Sequence, residues 1–251
     1  MKTVNEIRLE LSETSQEGLS EFLEIYADDP RDGVRKLLSA AKRKYEAYEK
    51  ELIRTREMWH YEKLYPELSF IGGIDEVGRG PLAGPVVTAC VILPKDCGLL
   101  YINDSKQVPE KKREELYDQI MEQAVSVGIG MEEPEVIDRI NILEATYSAM
   151  RKAIEAGPVK PEHLLVDAVK IPGITIPQRG IIKGDAKSIS IAAASIVAKV
   201  TRDRMMVEYD RIYPGYGFAS NKGYGSADHI RALKELGPTP IHRRTFIGHF
   251  V

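Results

Sequence analysis

Two apolar runs in this chain stop on carboxylates. Residues 70–76 read FIGGIDE, so a stretch suited to a buried strand ends on Asp75 and Glu76. Residues 163–169, HLLVDAV, repeat the pattern, with Leu164, Leu165 and Val166 running into Asp167. Buried strands carry continuous apolar sequence, and a charge inside one is costly unless it is compensated. Each acid is therefore placed where its strand emerges. A third point, Asp185 in IIKGDAKSISIAAAS, falls at or near the start of a helix. Capping that helix is the commonest use of such an Asp, but the position also suits a carboxylate held over the C-terminal edge of a sheet.

Neighbouring residues on an ideal strand face opposite ways, so Asp75 and Glu76 cannot both aim the same way from the pleat. Where the backbone turns at a strand end, they can converge on one ion or serve two. Taken alone, the pair reads more readily as a solvent-exposed acidic strand end, and the further acids shift that balance. Gly78, Gly80 and Gly84 follow, then a second apolar run, PVVTACVILP. Their spacing matches neither GxGxxG nor GxxxxGK[ST], and a strand rather than a helix comes next. Two carboxylates would repel a phosphate unless positive charge lay between them. Mg²⁺ and Mn²⁺ favour carboxylate oxygens and bridge them to substrate phosphates. Four acids at such points, with a basic C-terminal third, point to a metal-dependent nuclease.

Charge distribution carries that last element. Net charge is −3, yet residues 1–33 hold 3 Lys/Arg against 9 Asp/Glu, whereas residues 183–249 hold 11 against 6. A basic region is the footprint expected of a phosphate-backbone binder, although a weak one by itself. The longest apolar runs fall far short of the roughly 20 residues that cross a bilayer, and the mixed, acidic N-terminus has no signal-peptide h-region. Cys90 and Cys97 fit no zinc or CxxC spacing, and reduced thiols in a cytosolic protein are expected. The five histidines, His60, His163, His229, His242 and His249, form no metal-ligand spacing and read as structural or as phosphate neighbours.

Length and texture divide the chain in two. Its 251 residues allow one core plus an accessory module. In residues 1–68, GLSEFLEIYADDP reads as a short helix. Val34, Leu38, Ala41, Tyr45, Tyr48, Leu52, Thr55 and Trp59 then form one stripe on a long helix. Residues 69–251 alternate strands with helices. Strands are expected at 69–75, 85–93, AVSVGIGM and HLLVDAV, and helices at PEKKREELYDQIMEQ and SADHIRALKELG. Residues 134–156 read as two helices interrupted near Asn141, and residues 184–213 as one long helix. The order implies an α/β domain with a mixed sheet, for which a hairpin opening is one arrangement. On the long helix, Ser188, Ser195, Lys199 and Arg202 fall near one polar flank, open to solvent or to phosphates.

IDEVGRGPLAGPVV, NDSKQVPEKKREELY, LLVDAV, GDAKSISIAAASIVAKVTRD and NKGYGS, in that order, resemble bacterial ribonuclease HII over residues 69–250. The paralogous ribonuclease HIII shares the Asp-Glu start but typically lacks the Gly-Arg-Gly, so Arg79 between Gly78 and Gly80 favours HII. The resemblance implies a ribonuclease H-like mixed sheet flanked by helices, with residues 1–68 as a helical extension outside the catalytic pattern. It implies a site of Asp75, Glu76, Asp167 and Asp185 holding two Mg²⁺ or Mn²⁺ ions. Its products would be 5′-phosphate and 3′-hydroxyl ends. The substrates implied are the RNA strand of RNA–DNA hybrids and ribonucleotides embedded in duplex DNA. Primer removal or repair in the cytoplasm is the implied role.

Telling RNA from DNA requires sensing the 2′-OH. Gly78 and Gly80 would let backbone groups reach it, although a tight turn with positive φ also asks for glycine. By the resemblance Tyr224 packs on the sugar beside the cut, the alternative being a tyrosine that merely covers the core. Lys106, Lys187 and Ser188 are implied phosphate contacts. A monomer is expected, with no membrane association. Competing readings are a ribonuclease HIII-like nuclease, a non-catalytic hybrid-binding protein and a nucleotide-binding α/β protein.

Overall fold

The structure, a computed structural model, describes residues 2–95 and 97–251. It divides into two compact units, one ending at Glu57 and the other spanning Met58–Val251.

The first unit is helical. Helix α1 (Val4–Glu13) opens on a capping box, in which Thr3 and Glu6 each bond the other's backbone amide. Helices α2 (Leu19–Ile25) and α3 (Asp32–Met58) follow. Ile7, Leu11, Leu19 and Phe22 pack on Val34 and Ala41 of the expected stripe. Tyr26 donates to Glu10 at 2.6 Å across the unit. Trp59, placed on the stripe by spacing, lies just past the end of α3.

The second unit is built on five strands, β1 (Ile71–Val77), β2 (Val86–Ile92), β3 (Ser126–Glu132), β4 (His163–Asp167) and β5 (Gln178–Ile181), in the order β3-β2-β1-β4-β5. β1, β2 and β3 pair antiparallel, and β4 and β5 add parallel on the other side. The mixed sheet thus does open with a hairpin-connected pair. The edge strand β5, QRGI, gave no apolar signal because most of it is not buried.

Between the strands run α4 (Glu110–Gln123), α5 (Pro134–Ile140) and α6 (Ile142–Ala156), and after β5 come α7 (Ile189–Ile212), α8 (Phe218–Asn221), α9 (Ala227–Leu236) and α10 (Arg244–Ile247). Asn141 explains the expected interruption. Its φ of 69° ends α5, and its side chain accepts from the amides of Leu143 and Glu144 to start α6. Strand β2 is buried on both faces. Val87, Ala89 and Val91 meet the alanine-rich α7, whereas Cys90 joins Met150 and Ala153 of α6. Burial pushes the Cys90 thiol up to about 12, so it stays protonated and inert.

The long C-terminal helix starts later than its sequence suggested. Residues 184–186 form a short 3₁₀ turn, and α7 begins at Ile189 with Ser188, not Asp185, as its cap. The Ser188 hydroxyl accepts from Ile191, and the buried Glu62 carboxylate takes the Ser190 amide at 3.1 Å. Freed from capping, Asp185 faces elsewhere.

Candidate active site

The parallel register of β1 with β4 brings the acids together. Its last pair is Ile74 with Val166, and the next residues along the two strands are Asp75 and Asp167. β1 continues to Val77 against β2 alone, carrying Glu76 past the end of β4. Asp167 pairs with Ile181 at the end of β5, from which the chain turns directly into the residues bearing Asp185. The Gly184 amide closes this turn by donating to Asp167 Oδ1 at 2.7 Å.

The carboxylates also act on one another electrostatically. Asp75, 6% exposed, is held well above the ordinary carboxylate range by burial, then by the charges of Glu76 and Asp167. Hydrogen bonds from Ser195 and from the Glu76 amide, at 2.7 Å, pull the other way. Burial also raises Glu76, Arg79 and Lys106 oppose this, and Asp167 adds to it. Asp185 is raised by burial, then by Asp104 and Asp167, against the Ala186 amide and Lys106. Asp167 is the shared neighbour of the other three. Among the described residues, no three His, Cys, Asp or Glu side chains are placed so that together they could hold a metal ion. Carboxylates that repel one another while half or wholly buried are the donor set that a divalent cation relieves, and their oxygens suit Mg²⁺ or Mn²⁺.

The loop after Glu76 divides the expected roles of its two glycines. Gly78 is buried at φ 90°, and a Cβ there would lie 2.3 Å from Arg202 Nε, so the fold itself demands this glycine. Gly80 is exposed and has no such demand, since a Cβ would meet only the Tyr224 ring, at 3.9 Å. Its open face beside a 43% exposed tyrosine is free for a ligand. Arg79 reaches back to Glu76 Oε1 at 3.3 Å.

Two arginines that sequence reasoning missed hold this loop in place. Arg202, read as part of a polar flank open to solvent or to phosphates, is completely buried and donates to the carbonyls of Pro85 (2.9 Å), Lys222 (2.8 Å) and Ala83 (3.0 Å). Arg243, equally buried, donates to the carbonyls of Gly84, Arg79 and Gly78. Neither has a carboxylate partner among the described residues, and burial lowers them to about 10 and about 9, Arg202 adding its repulsion to the second. The amides of Leu82 and Gly84 donate to Gly223 and Ile241, so residues 82–84 are tied to both distant segments. The signal for this was the odd placement of basic residues in HRRTFIGHF and AKVTRD, amid apolar sequence.

The remaining expectations fare unequally. Lys106 is exposed and lies within electrostatic reach of Glu76 and Asp185. Lys187 is exposed, and its ammonium donates to the Ile182 carbonyl at 2.9 Å, bracing the Asp185 turn. Ser188 corrects the reading of a phosphate contact: it is completely buried, and its hydroxyl donates to Glu62 at 2.6 Å. Nor is the polar flank of α7 solvated. Ser195 lies 3.0 Å from the Ser105 hydroxyl, and Lys199 pairs with Asp203 at 2.6 Å. Ser105 and Asp104, in the NDSK segment, belong to the acid site and were not singled out from sequence.

A family model described as Ribonuclease HII matches residues 72–249, and one described as Ribonuclease HII N-terminal domain matches residues 3–66. The chain belongs to the ribonuclease HII family. Ribonuclease HII of Lachnoclostridium phytofermentans is 63% identical over 244 residues, covering 97% of this chain and 96% of that protein. Ribonuclease HII of Enterococcus faecalis is 51% identical over 248 residues, covering 98% and 95%. Among solved structures, the ribonuclease H2 of Pyrococcus horikoshii superposes with a TM-score of 0.58 at 27% identity, covering 72% of this chain and 98% of its own. As a ribonuclease HII the chain is a metal-dependent ribonuclease H hydrolase, an endonuclease acting on RNA–DNA hybrids. The HII N-terminal match also decides against the HIII-like alternative.

Proposed function

We propose that this ribonuclease HII cuts both the RNA strand of hybrids and, on the 5′ side, single ribonucleotides embedded in duplex DNA. Asp75, Glu76, Asp167 and Asp185 would hold two divalent ions, Mg²⁺ or Mn²⁺. Such ions, when bound, supply an activated water and offset charge on the leaving 3′ oxygen, so that 5′-phosphate and 3′-hydroxyl ends result. The chain's own residues do the placing. Ser195 and the Glu76 amide orient Asp75, the Gly184 amide orients Asp167, and Arg79 restrains Glu76.

Selection of the sugar belongs to the open backbone at Gly80 together with the Tyr224 ring. The backbone can donate to and accept from a 2′-OH there, and a deoxyribose offers neither partner. Lys106, within electrostatic reach of Glu76 and Asp185, and Lys187, on the Asp185 turn, are exposed and would meet phosphates. The observation that supports the reading is the parallel register that sets Asp75 and Asp167 just past the last β1–β4 pair, with Asp185 on the turn that follows β5. No helix among the described residues is long and apolar enough to cross a membrane. A cytoplasmic monomer that removes primers or misincorporated ribonucleotides accords with this reading.

The test is cleavage of a labelled duplex carrying one ribonucleotide, beside an all-RNA hybrid, in Mg²⁺, in Mn²⁺ and after EDTA. Cuts 5′ of the ribonucleotide that EDTA abolishes and either metal restores are expected. Cleavage of the hybrid alone would remove the single-ribonucleotide part of the proposal, and cleavage surviving EDTA would remove the metal part.

A further inference from the structure

The buried pair His229 and His242 lies outside the acid site, and its two tautomers are dictated by the backbone. The rings are 0% and 1% exposed, with Nε2 to Nε2 at 3.0 Å. The Thr239 amide can only donate, and it lies 2.9 Å from His242 Nδ1, so that nitrogen is unprotonated. The Tyr224 carbonyl can only accept, and it lies 2.8 Å from His229 Nδ1, so that nitrogen carries a proton. Between neutral rings one arrangement remains, with His242 Nε2–H donating to His229 Nε2. A one-way relay therefore runs from Thr239 through both histidines to Tyr224. A proton added to His229 Nε2 would face the His242 N–H at 3.0 Å, and one added to His242 Nδ1 would face the Thr239 N–H at 2.9 Å. Both rings are in fact held below the ordinary histidine value, chiefly by burial.

We infer that His229 and His242 are positioning residues for sugar selection: their relay fixes the backbone of Tyr224 and so sets the ring against Gly80. Three observations beyond the relay bear on this. The Tyr224 amide donates to Asn221 at 2.9 Å, so the residue is held on both its backbone faces while its ring stays open. His242 bridges Ala83 in the backbone and precedes Arg243, whose guanidinium holds Gly78 and Arg79. The segment 239–243 thus carries the supports for both halves of the site. Tyr216 and Phe218 wall the pair with rings 5.2–6.4 Å away, which excludes water from the relay.

The inference rests on Tyr224 being the residue that packs on the sugar, and the experiment separates the two. The quantity read is kcat/KM for a single-ribonucleotide duplex divided by that for an all-RNA hybrid. Tyr224→Ala tests the underlying reading: an unchanged ratio overturns it, and the inference with it. Given a fall there, His229→Leu, which leaves the Tyr224 carbonyl with the Ser226 amide as its remaining donor, is expected to lower the ratio about five- to tenfold. His229→Asn, whose amide can donate from nearly the same place, restores most of it. In the Tyr224→Ala background, His229→Leu has no further effect on the ratio. A ratio that falls with Tyr224→Ala but not with His229→Leu overturns the inference alone, as does equal loss in both backgrounds. Long-range ¹H–¹⁵N spectra of the unaltered protein give a check that needs no variant to fold. They are expected to show His229 protonated at Nδ1 and His242 at Nε2, and a charged ring or the opposite tautomers would overturn the relay.

Discussion

Asp75 is a residue whose charge harms the fold and, in the function proposed, serves the chemistry. Nearly all of it is buried, and Glu76 and Asp167 repel it. Asp75→Asn keeps an oxygen for the Glu76 amide but removes that repulsion. In EDTA the variant is expected to unfold at a higher temperature than the parent, by about 1–2 kcal/mol of added stability. Its cleavage rate in Mg²⁺ should fall at least about 100-fold. Thermal melts beside turnover assays check both, and a variant both less stable in EDTA and fully active would contradict the account of this site. The two loop glycines make a second contrast. Gly78→Ala must strain a φ of 90° and displace Arg202, costing about 2 kcal/mol or more. Gly80→Ala should melt within about 0.5 kcal/mol of the parent yet lose cleavage at single ribonucleotides, because only a substrate sugar would meet its new methyl.

At the scale of elements, the loop, the C-terminal segment and α7 behave as one clamp. Arg243 satisfies three carbonyls with a planar fork, and an ammonium cannot copy that geometry. Arg243→Lys is therefore expected to lose about 2–4 kcal/mol in urea unfolding, nearly as much as Arg243→Met. Stability near the clamp also depends on pH. Burial, then the charges of His229 and Arg244, lower His242 to about 4. The unfolded chain takes up this proton near 6.5 and the folded chain only near 4. The contribution is thus complete above pH 6.5, drains away as pH falls toward 4, and amounts to about 3 kcal/mol. Urea unfolding at pH 7 and pH 4.5 should show a smaller acid loss in His242→Gln than in the parent.

Elements were legible in sequence to the degree that burial follows one face. Strands β1, β2 and β4 announced themselves as apolar runs, and Asn141 as a break. Strand β5 did not, because an edge strand with exposed residues has no such pattern. Arg202 and Arg243 were hidden for a different reason. In a basic stretch a guanidinium reads as a phosphate contact, and only the fold shows carbonyls gathered around it.

Across the whole molecule, the boundary between compact units falls before Met58, whereas the apolar texture changes near residue 68. The intervening segment contributes Glu62, whose carboxylate accepts from Ser188 and from the Ser190 amide and hydroxyl at the start of α7. A chain beginning at Met58 is accordingly expected to fold and cleave, while one beginning at residue 69 should lose stability and much activity, since α7 anchors the Asp185 turn. Asp75, Glu76 and Asp167 were legible because ionised side chains at strand ends are conspicuous, and Asp185 because it stood near an expected helix start. Their meeting was not, since it depends on the register between strands about ninety residues apart in sequence.

The most direct measurement of that meeting is anomalous scattering from crystals soaked in Mn²⁺ with a ribonucleotide-containing duplex. Manganese peaks bounded by Asp75, Glu76, Asp167 and Asp185, with the ribose at Gly80 and Tyr224, are expected. Manganese bound away from Asp167, or a ribose seated far from Gly80, would contradict the account.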